Sequence, residues 1–193
     1  MGKLFYLMGK SASGKDTIYK KVKEEMPELK PIAIYTTRPI RQGETEGVEY
    51  YFVDESKLQE LEQAGKVIEL RAYNTVHGVW KYFTVDDGQF DREDHLIAIG
   101  TLESYVQLRT YFGDEKLIPI YVEVEDGVRL ERALFRERQQ KEPKYEELCR
   151  RFLADAMDFS EEKLAGAGIT KRYHNVVMAE CVQEIVTSIK DKL

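Results

Sequence analysis

The feature that most restricts the fold is the first part of the chain, where a strand pattern runs into a glycine-rich loop and then into a helix pattern. Lys3–Met8 is a nearly continuous apolar run, which is typical of a parallel strand buried on both faces. Small and glycine residues follow over 9–14, and a charged amphipathic stretch runs over 15–26 and is closed by Pro27. This order predicts the first strand, tight loop and helix of a fold built on a parallel sheet.

The loop itself has the spacing of a phosphate-binding loop, with two glycines five positions apart and a lysine after the second. Small residues let successive backbone N–H groups converge on a phosphate, and the following helix adds the partial positive charge of its N-terminus. Lys15 supplies a mobile cation to the terminal phosphates of ATP. The sequence therefore predicts an ATP site that consists of Gly9, Lys10, Ser11, Ala12, Ser13, Gly14, Lys15, Asp16 and Thr17.

The sequence departs from this motif at one position, the residue that ordinarily binds Mg²⁺. The residue after Lys15 is ordinarily Ser or Thr, whose hydroxyl binds the metal, and here it is Asp16. A carboxylate can also hold Mg²⁺. Thr17 has the hydroxyl, but one helical step rotates it by about 100°. We predict that Asp16 contacts Mg²⁺ directly or through water, and keep Thr17 as the second metal candidate.

The rest of the chain alternates strand and helix patterns, except in one stretch. Residues 40–85 are rich in strand patterns and read as an insertion, whereas βα alternation resumes beyond them. The fold class we predict is α/β: a three-layer P-loop NTPase-type fold with a central parallel sheet. The predicted elements are strands at 3–8, 32–35, 48–52, 66–73, 79–84, 96–99, 117–124 and 176–178, and helices at 15–26, 54–64, 102–111, 126–140 and 144–164 with one more at the C-terminus.

Composition and net charge limit the kinds of molecule that the protein is expected to bind. The chain has 193 residues and a net charge of −6, which disfavours a general nucleic-acid surface. The apolar start is too short for a signal peptide or a membrane span. Cys149 and Cys181 lack metal-ligand spacing and are expected to be free thiols. We therefore predict a cytoplasmic protein, monomer or homodimer, that binds small-molecule nucleotides and neither nucleic acid nor membrane.

A second motif spans 36–53, and on it the chain resembles the guanylate kinase family. It begins Thr-Thr-Arg-Pro-Ile-Arg-Gln-Gly-Glu and ends Tyr-Tyr-Phe-Val. Its two arginines suit bidentate contacts with a phosphate. The resemblance implies a nucleotide-binding insertion (32–85), a helical lid (126–160) and a core (1–31, 86–125 and 161–193). It also implies that Arg38, Arg41 and Tyr50 hold the phosphate of GMP or dGMP, and that Glu69 pairs with the guanine edge.

Arginines on the two predicted lid helices complete the set of candidates. Arg129, Arg132 and Arg136 fall on one helix face, which on its own is also the pattern of a solvated charged helix. By the resemblance Arg136 and Arg151 act in catalysis with Lys15, and Arg132 contacts ATP. The predicted reaction is ATP- and Mg²⁺-dependent phosphorylation of GMP or dGMP.

Three departures from the family keep other acceptors open. Ile34 replaces a serine near the guanine oxygen, and the strand at 96–101 lacks the family's two aspartates. His77 or Tyr82 occupies the place of a phosphate-binding tyrosine. A kinase for another phosphorylated small molecule, such as a ribose phosphate, is the second interpretation. A non-catalytic guanylate-kinase-like binding module is the third.

Overall fold

The computed structural model describes residues 2–41, 43–48, 50–75, 78–90 and 93–193. Its first sheet has five strands in the order β2-β7-β1-β8-β9, and every pair in it is parallel. The strands are β1 (Leu4–Met8), β2 (Lys30–Pro31), β7 (Leu96–Gly100), β8 (Leu117–Glu123) and β9 (Arg172–His174). The predicted central parallel sheet is confirmed.

Helices cover both faces of this sheet, because the side chains of β1 alternate between two apolar clusters. Leu4, Tyr6 and Met8 pack on the side of α3 (Leu102–Phe112) and α6 (Glu161–Gly166). Phe5 and Leu7 pack on the side of α1 (Lys15–Glu25) and α7 (Met178–Lys190). The result is the predicted three-layer α/β architecture.

A second sheet lies entirely within residues 35–85. Its order is β4-β3-β6-β5, formed by β3 (Tyr35–Thr36), β4 (Tyr51–Phe52), β5 (Val67–Thr75) and β6 (Gly78–Val85). Helix α2 (Glu55–Gln63) places Leu58 in a small core with Phe83 and Val85. This sheet falls inside the predicted insertion (32–85), and the division into core, insertion and lid stays a prediction.

Three sequence-based boundaries are wrong. The last strand is Arg172–His174 and not 176–178, where the chain instead enters α7. The helix predicted over 144–164 is two helices, α5 (Tyr145–Asp158) and α6, because the Ser160 side chain caps the second at Lys163 N. The sequence also suggests Asp126 as the cap of the helix predicted over 126–140, but helix α4 (Asp126–Arg138) is capped by Glu125, which accepts from the backbone N–H groups of 127 and 128.

The strand predicted at 32–35 is also displaced. The structure has the short strands β2 and β3 on either side of it, and they belong to different sheets. Residues 32–34 therefore connect the main sheet to the second sheet.

Candidate active site

The phosphate loop joins β1 to α1, and its shape requires small residues. Gly14 has φ 85° and Ala12 has φ 61°, so both lie in the left-handed region. A Cβ on Gly14 would lie 2.5 Å from Asn175 Nδ2, and one on Gly9 would lie 2.6 Å from the Val122 carbonyl oxygen. Gly14 is therefore needed for backbone conformation as well as for close approach, and Gly9 for close approach alone. Asn175 is itself buried and donates from Nδ2 to the Ser13 carbonyl at 2.8 Å.

Two side chains from the helices beyond residue 125 hold this loop. Arg129 is 1% exposed and donates to the Ser11 carbonyl oxygen at 2.8 Å. Asp155 Oδ2 accepts from the Ser11 backbone N–H at 2.7 Å and lies 3.3 Å from Arg129 Nη1. Asp126 accepts from the same guanidinium at 2.8 and 3.0 Å. Helices α4 and α5 are thus tied directly to the phosphate loop. The sequence placed Arg129 on a charged helix face without assigning it a role, and Asp155 was not predicted.

The charged residues of the loop are paired close by. Lys15 Nζ lies 3.3 Å from Asp16 Oδ2, and Lys10 Nζ lies 3.3 Å from Asp126 Oδ1. Asp16 and Thr17 are both exposed, but Lys15 and Asp16 line a cleft beside the loop and Thr17 does not. Asp16 is thus the metal candidate that faces the cleft, and its role as a Mg²⁺ ligand stays a prediction.

This cleft has a volume of about 610 Å³ and extends from the phosphate loop to the second sheet. Five of its side chains are cationic and two are acidic, so the cleft is positive although the whole chain carries −6. Such a local excess favours an anionic ligand. The charged lining residues are Lys15, Arg41, Arg71, Arg150 and Arg151, with Asp16 and Glu147.

A smaller cleft of about 270 Å³ lies between α4, α5 and the phosphate loop. Ser11, Arg136 and Arg151 line it, and Arg151 also lines the larger cleft. Glu147 bonds both Arg150 and Arg151, which holds the pKa of its carboxyl down at about 2. Arg132 instead donates to the Asn175 carbonyl at 3.2 Å, beside the loop.

The two arginines of the second motif have different surroundings. Arg41 lines the larger cleft. Arg38 is 3% exposed and forms a fork with the Glu44 carboxylate at 2.5 and 2.8 Å, and this pairing lowers the pKa of Glu44 to about 2. Its guanidinium also stacks on Tyr50 at 4.9 Å. Arg38 therefore supports the wall of the cleft from behind.

The wall of the cleft in front of Arg38 is formed by aromatic side chains. The rings of Tyr50 and Tyr82 are 5.6 Å apart, those of Tyr73 and Tyr82 are 5.7 Å apart, and all three residues line the cleft. Tyr50 and Tyr82 are thus brought together with Arg41, as the predicted phosphate site requires. His77 lies outside the described residues.

Glu69 has surroundings that the sequence analysis did not anticipate. It is 2% exposed and accepts from Arg71 Nε at 3.0 Å and from the Thr84 hydroxyl at 2.8 Å. Arg71 lines the cleft, whereas Glu69 is not among the residues that line it. The alternation of side chains along β5 could have shown this pair, because residues two apart in a strand share a face.

Comparison with known proteins agrees with this arrangement. Residues 1–82 match the sequence profile of the family described as "Guanylate kinase". The guanylate kinase of Rhodopseudomonas palustris is 43% identical over 68 residues, which are 35% of this chain and 31% of that protein. The guanylate kinase of Frankia casuarinae is 46% identical over 66 residues, 34% of this chain and 36% of that protein. The chain thus spans about a third of the length of these curated relatives.

The whole chain has a structural counterpart. The crystal structure of guanylate kinase from Anaplasma phagocytophilum aligns with 99% of this chain and 86% of its own, with a TM-score of 0.67 and 22% identity. The profile match covers the first 82 of the 193 residues, and the crystal structure shows a shared fold. The chain is therefore similar to guanylate kinases in sequence over residues 1–82 and in fold over almost its whole length.

The sequence likeness to guanylate kinases is concentrated where the phosphate loop and the second motif lie. The matched region ends at residue 82 and so includes Lys15, Arg41, Tyr50 and Glu69. The arginines of the predicted lid fall outside it, and their roles stay predictions. Ile34 lines the cleft where a guanylate kinase has a serine, and the end of β7, Gly100, is also at the cleft without an acidic side chain.

Proposed function

We propose that the protein transfers a phosphoryl group from ATP to a nucleoside monophosphate, with GMP or dGMP as the first candidates. One observation carries this proposal: a single cationic cleft joins Lys15 of the phosphate loop to Arg41 and Tyr50 of the second sheet. A donor triphosphate on the loop and an acceptor phosphate at Arg41 then meet in one enclosure. The likeness of residues 1–82 to the guanylate kinase profile supports the same reaction.

The chemistry asks the protein mainly for positioning and charge compensation. An oxygen of the acceptor phosphate attacks the terminal phosphorus of ATP, and ADP leaves, so no strong general base is needed. Lys15 and the backbone N–H groups of the loop hold the donor phosphates. Arg151 lines both clefts, and we expect it to neutralise charge on the transferred group.

Mg²⁺ would be held by Asp16 and would supply further charge neutralisation at the donor phosphates. The ion pair between Asp16 and Lys15 at 3.3 Å keeps both groups at the same place in the cleft.

Within the described residues no helix is long and apolar enough to cross a membrane.

The test is ³¹P NMR of the protein with ATP, Mg²⁺ and the common ribo- and deoxyribonucleoside monophosphates, compared with two variants. Lys15→Ala removes the loop cation, and Lys20→Ala makes the same change on the exposed side of α1. We expect GDP or dGDP from the wild type and from Lys20→Ala, and at least about a 100-fold slower rate from Lys15→Ala. Absence of any nucleoside diphosphate product would refute the proposal.

A further inference from the structure

The acceptor pocket contains a buried ion pair where a guanine reader was expected. Glu69 Oε2 accepts from Arg71 Nε at 3.0 Å, and Glu69 Oε1 accepts from Arg71 Nη2 at 3.4 Å. The Thr84 hydroxyl donates to the same Oε1 at 2.8 Å. Both partners are buried, Glu69 at 2% and Arg71 at 7% exposure.

The contacts of Arg71 are those that a guanine edge would make. Guanine offers two neighbouring donors, the ring N–H and the amino group, and a carboxylate binds them with its two oxygens. The Nε and Nη2 groups of Arg71 present the same pair of donors to the same two oxygens. Guanine and Arg71 therefore compete for one carboxylate.

The geometry also places Arg71 on the accessible side of the pair. Arg71 lines the cleft, and Glu69 does not. Arg71 Nη1 extends to the Thr101 hydroxyl at 3.4 Å, so the guanidinium connects β5 to the residue that caps α3. A base that entered this end of the cleft would meet Arg71 first.

We propose that Arg71 is a specificity-determining residue that weakens guanine recognition by occupying the Glu69 carboxylate, so that guanine binds only after this ion pair opens. The inference rests on the proposed function for its kinetic test, since the acceptor pocket is the same. Arg71 then acts against GMP binding, although it is a cation in the acceptor pocket. A substitution that removes Arg71 therefore improves the use of GMP as the acceptor.

Three variants test the competition. Arg71→Ala frees the Glu69 carboxylate for guanine. The double variant Arg71→Ala/Glu69→Gln also removes the Arg71 side chain, but it replaces the charged acceptor at position 69 with a neutral amide. Arg71→Lys keeps a cation that cannot form a fork, and it serves if Arg71→Ala does not fold. Arg109→Lys is the control, because Arg109 forms the same Nε and Nη2 fork with a carboxylate, that of Asp114, on the surface outside the cleft.

The readouts are the KM for GMP, the ratio of kcat/KM for GMP to that for AMP, and GMP binding followed by the fluorescence of Trp80. Trp80 is the single tryptophan of the chain and lines the cleft. For Arg71→Ala we expect about a tenfold lower KM and Kd for GMP, the effect of one hydrogen bond to a charged group, with a higher GMP-to-AMP ratio. The gain is smaller in Arg71→Lys, is lost in the double variant and does not occur in Arg109→Lys.

An unchanged or higher Kd for GMP in Arg71→Ala, or in Arg71→Lys if only that variant folds, would overturn the inference. A gain that survives in the double variant would overturn it as well, because Glu69 would then not be the group set free. If the wild type turns over no nucleotide, the proposed function fails, while the Trp80 titrations still decide whether Arg71 blocks guanine. If the wild type instead phosphorylates ribose 5-phosphate and Arg71→Ala gains GMP binding, the inference stands.

Discussion

Replacing Arg129 by alanine tests whether the helices beyond residue 125 stabilise the phosphate loop. Arg129 is 1% exposed and bonds the Ser11 carbonyl, Asp126 and Asp155. Its guanidinium also lies 4.7 Å from the centre of the Phe152 ring. Alanine removes all of these contacts together.

The expected loss of unfolding free energy depends on the carboxylates that remain without their partner. Removing one partner of a buried ion pair costs about 3–5 kcal/mol of unfolding free energy. Asp126 is half-exposed and can return to water, whereas Asp155 stays against the loop at 15% exposure, so we expect the lower end, about 3 kcal/mol. For a chain of this size that corresponds to a fall in Tm of about 6–12 °C.

The assay is urea unfolding followed by circular dichroism, with Arg150→Ala as the control. Arg150 also bonds a carboxylate, that of Glu147, but its side chain is 66% exposed, so its loss should cost less than about 1 kcal/mol. The KM for ATP should rise in Arg129→Ala, because the Asp155 carboxylate loses its counter-charge beside the loop. The reasoning is refuted if Arg129→Ala and Arg150→Ala unfold within about 1 kcal/mol of each other.

Three further outcomes are expected. Ellman's reagent should react with one thiol in the native protein, since Cys149 is exposed while Cys181 is buried and has its pKa raised to about 11; both should react in denaturant. Arg38 lowers the pKa of Glu44 from 4.5 to about 2, so this pair should stabilise the protein above about pH 4.5 and lose that effect as the pH falls towards 2; Glu44→Gln should flatten this part of a urea-measured stability profile. Ile185→Ala should cost about 3 kcal/mol in urea unfolding, because Ile185 is fully buried between the main sheet and α1.

Each of these has a clear contrary result. Rapid reaction of two thiols in the native protein would contradict the burial of Cys181. A stability profile of Glu44→Gln that runs parallel to the wild type below pH 4.5 would mean that the pair does not stabilise the fold. A loss below about 1 kcal/mol for Ile185→Ala would show that the core readily fills the cavity.

Patterns within a few residues of each other predicted much of the fold. The run of apolar residues before Gly9 and the helix pattern after it correctly indicated β1, the loop and α1. Turn and cap residues located most other elements. The errors arose where a short polar side chain decided a boundary, as Ser160 does between α5 and α6, or where two short strands joined different sheets. A cap residue does not interrupt the helical periodicity of the sequence, so the periodicity did not show the break between α5 and α6.

The sequence by itself determined the phosphate loop and the cationic second motif, because each depends on spacing along one segment, and it determined the α/β class through the order of strand and helix patterns. Only the tertiary structure decided which groups the site residues face. Ser11 meets Asp155 and Arg129 from helices more than a hundred residues away. The buried Glu69 carboxylate is satisfied by Arg71, which lines the cleft, and by Thr84. Burial leaves such a group no water to bond, so its partner is set by packing between segments, which spacing along one segment does not specify.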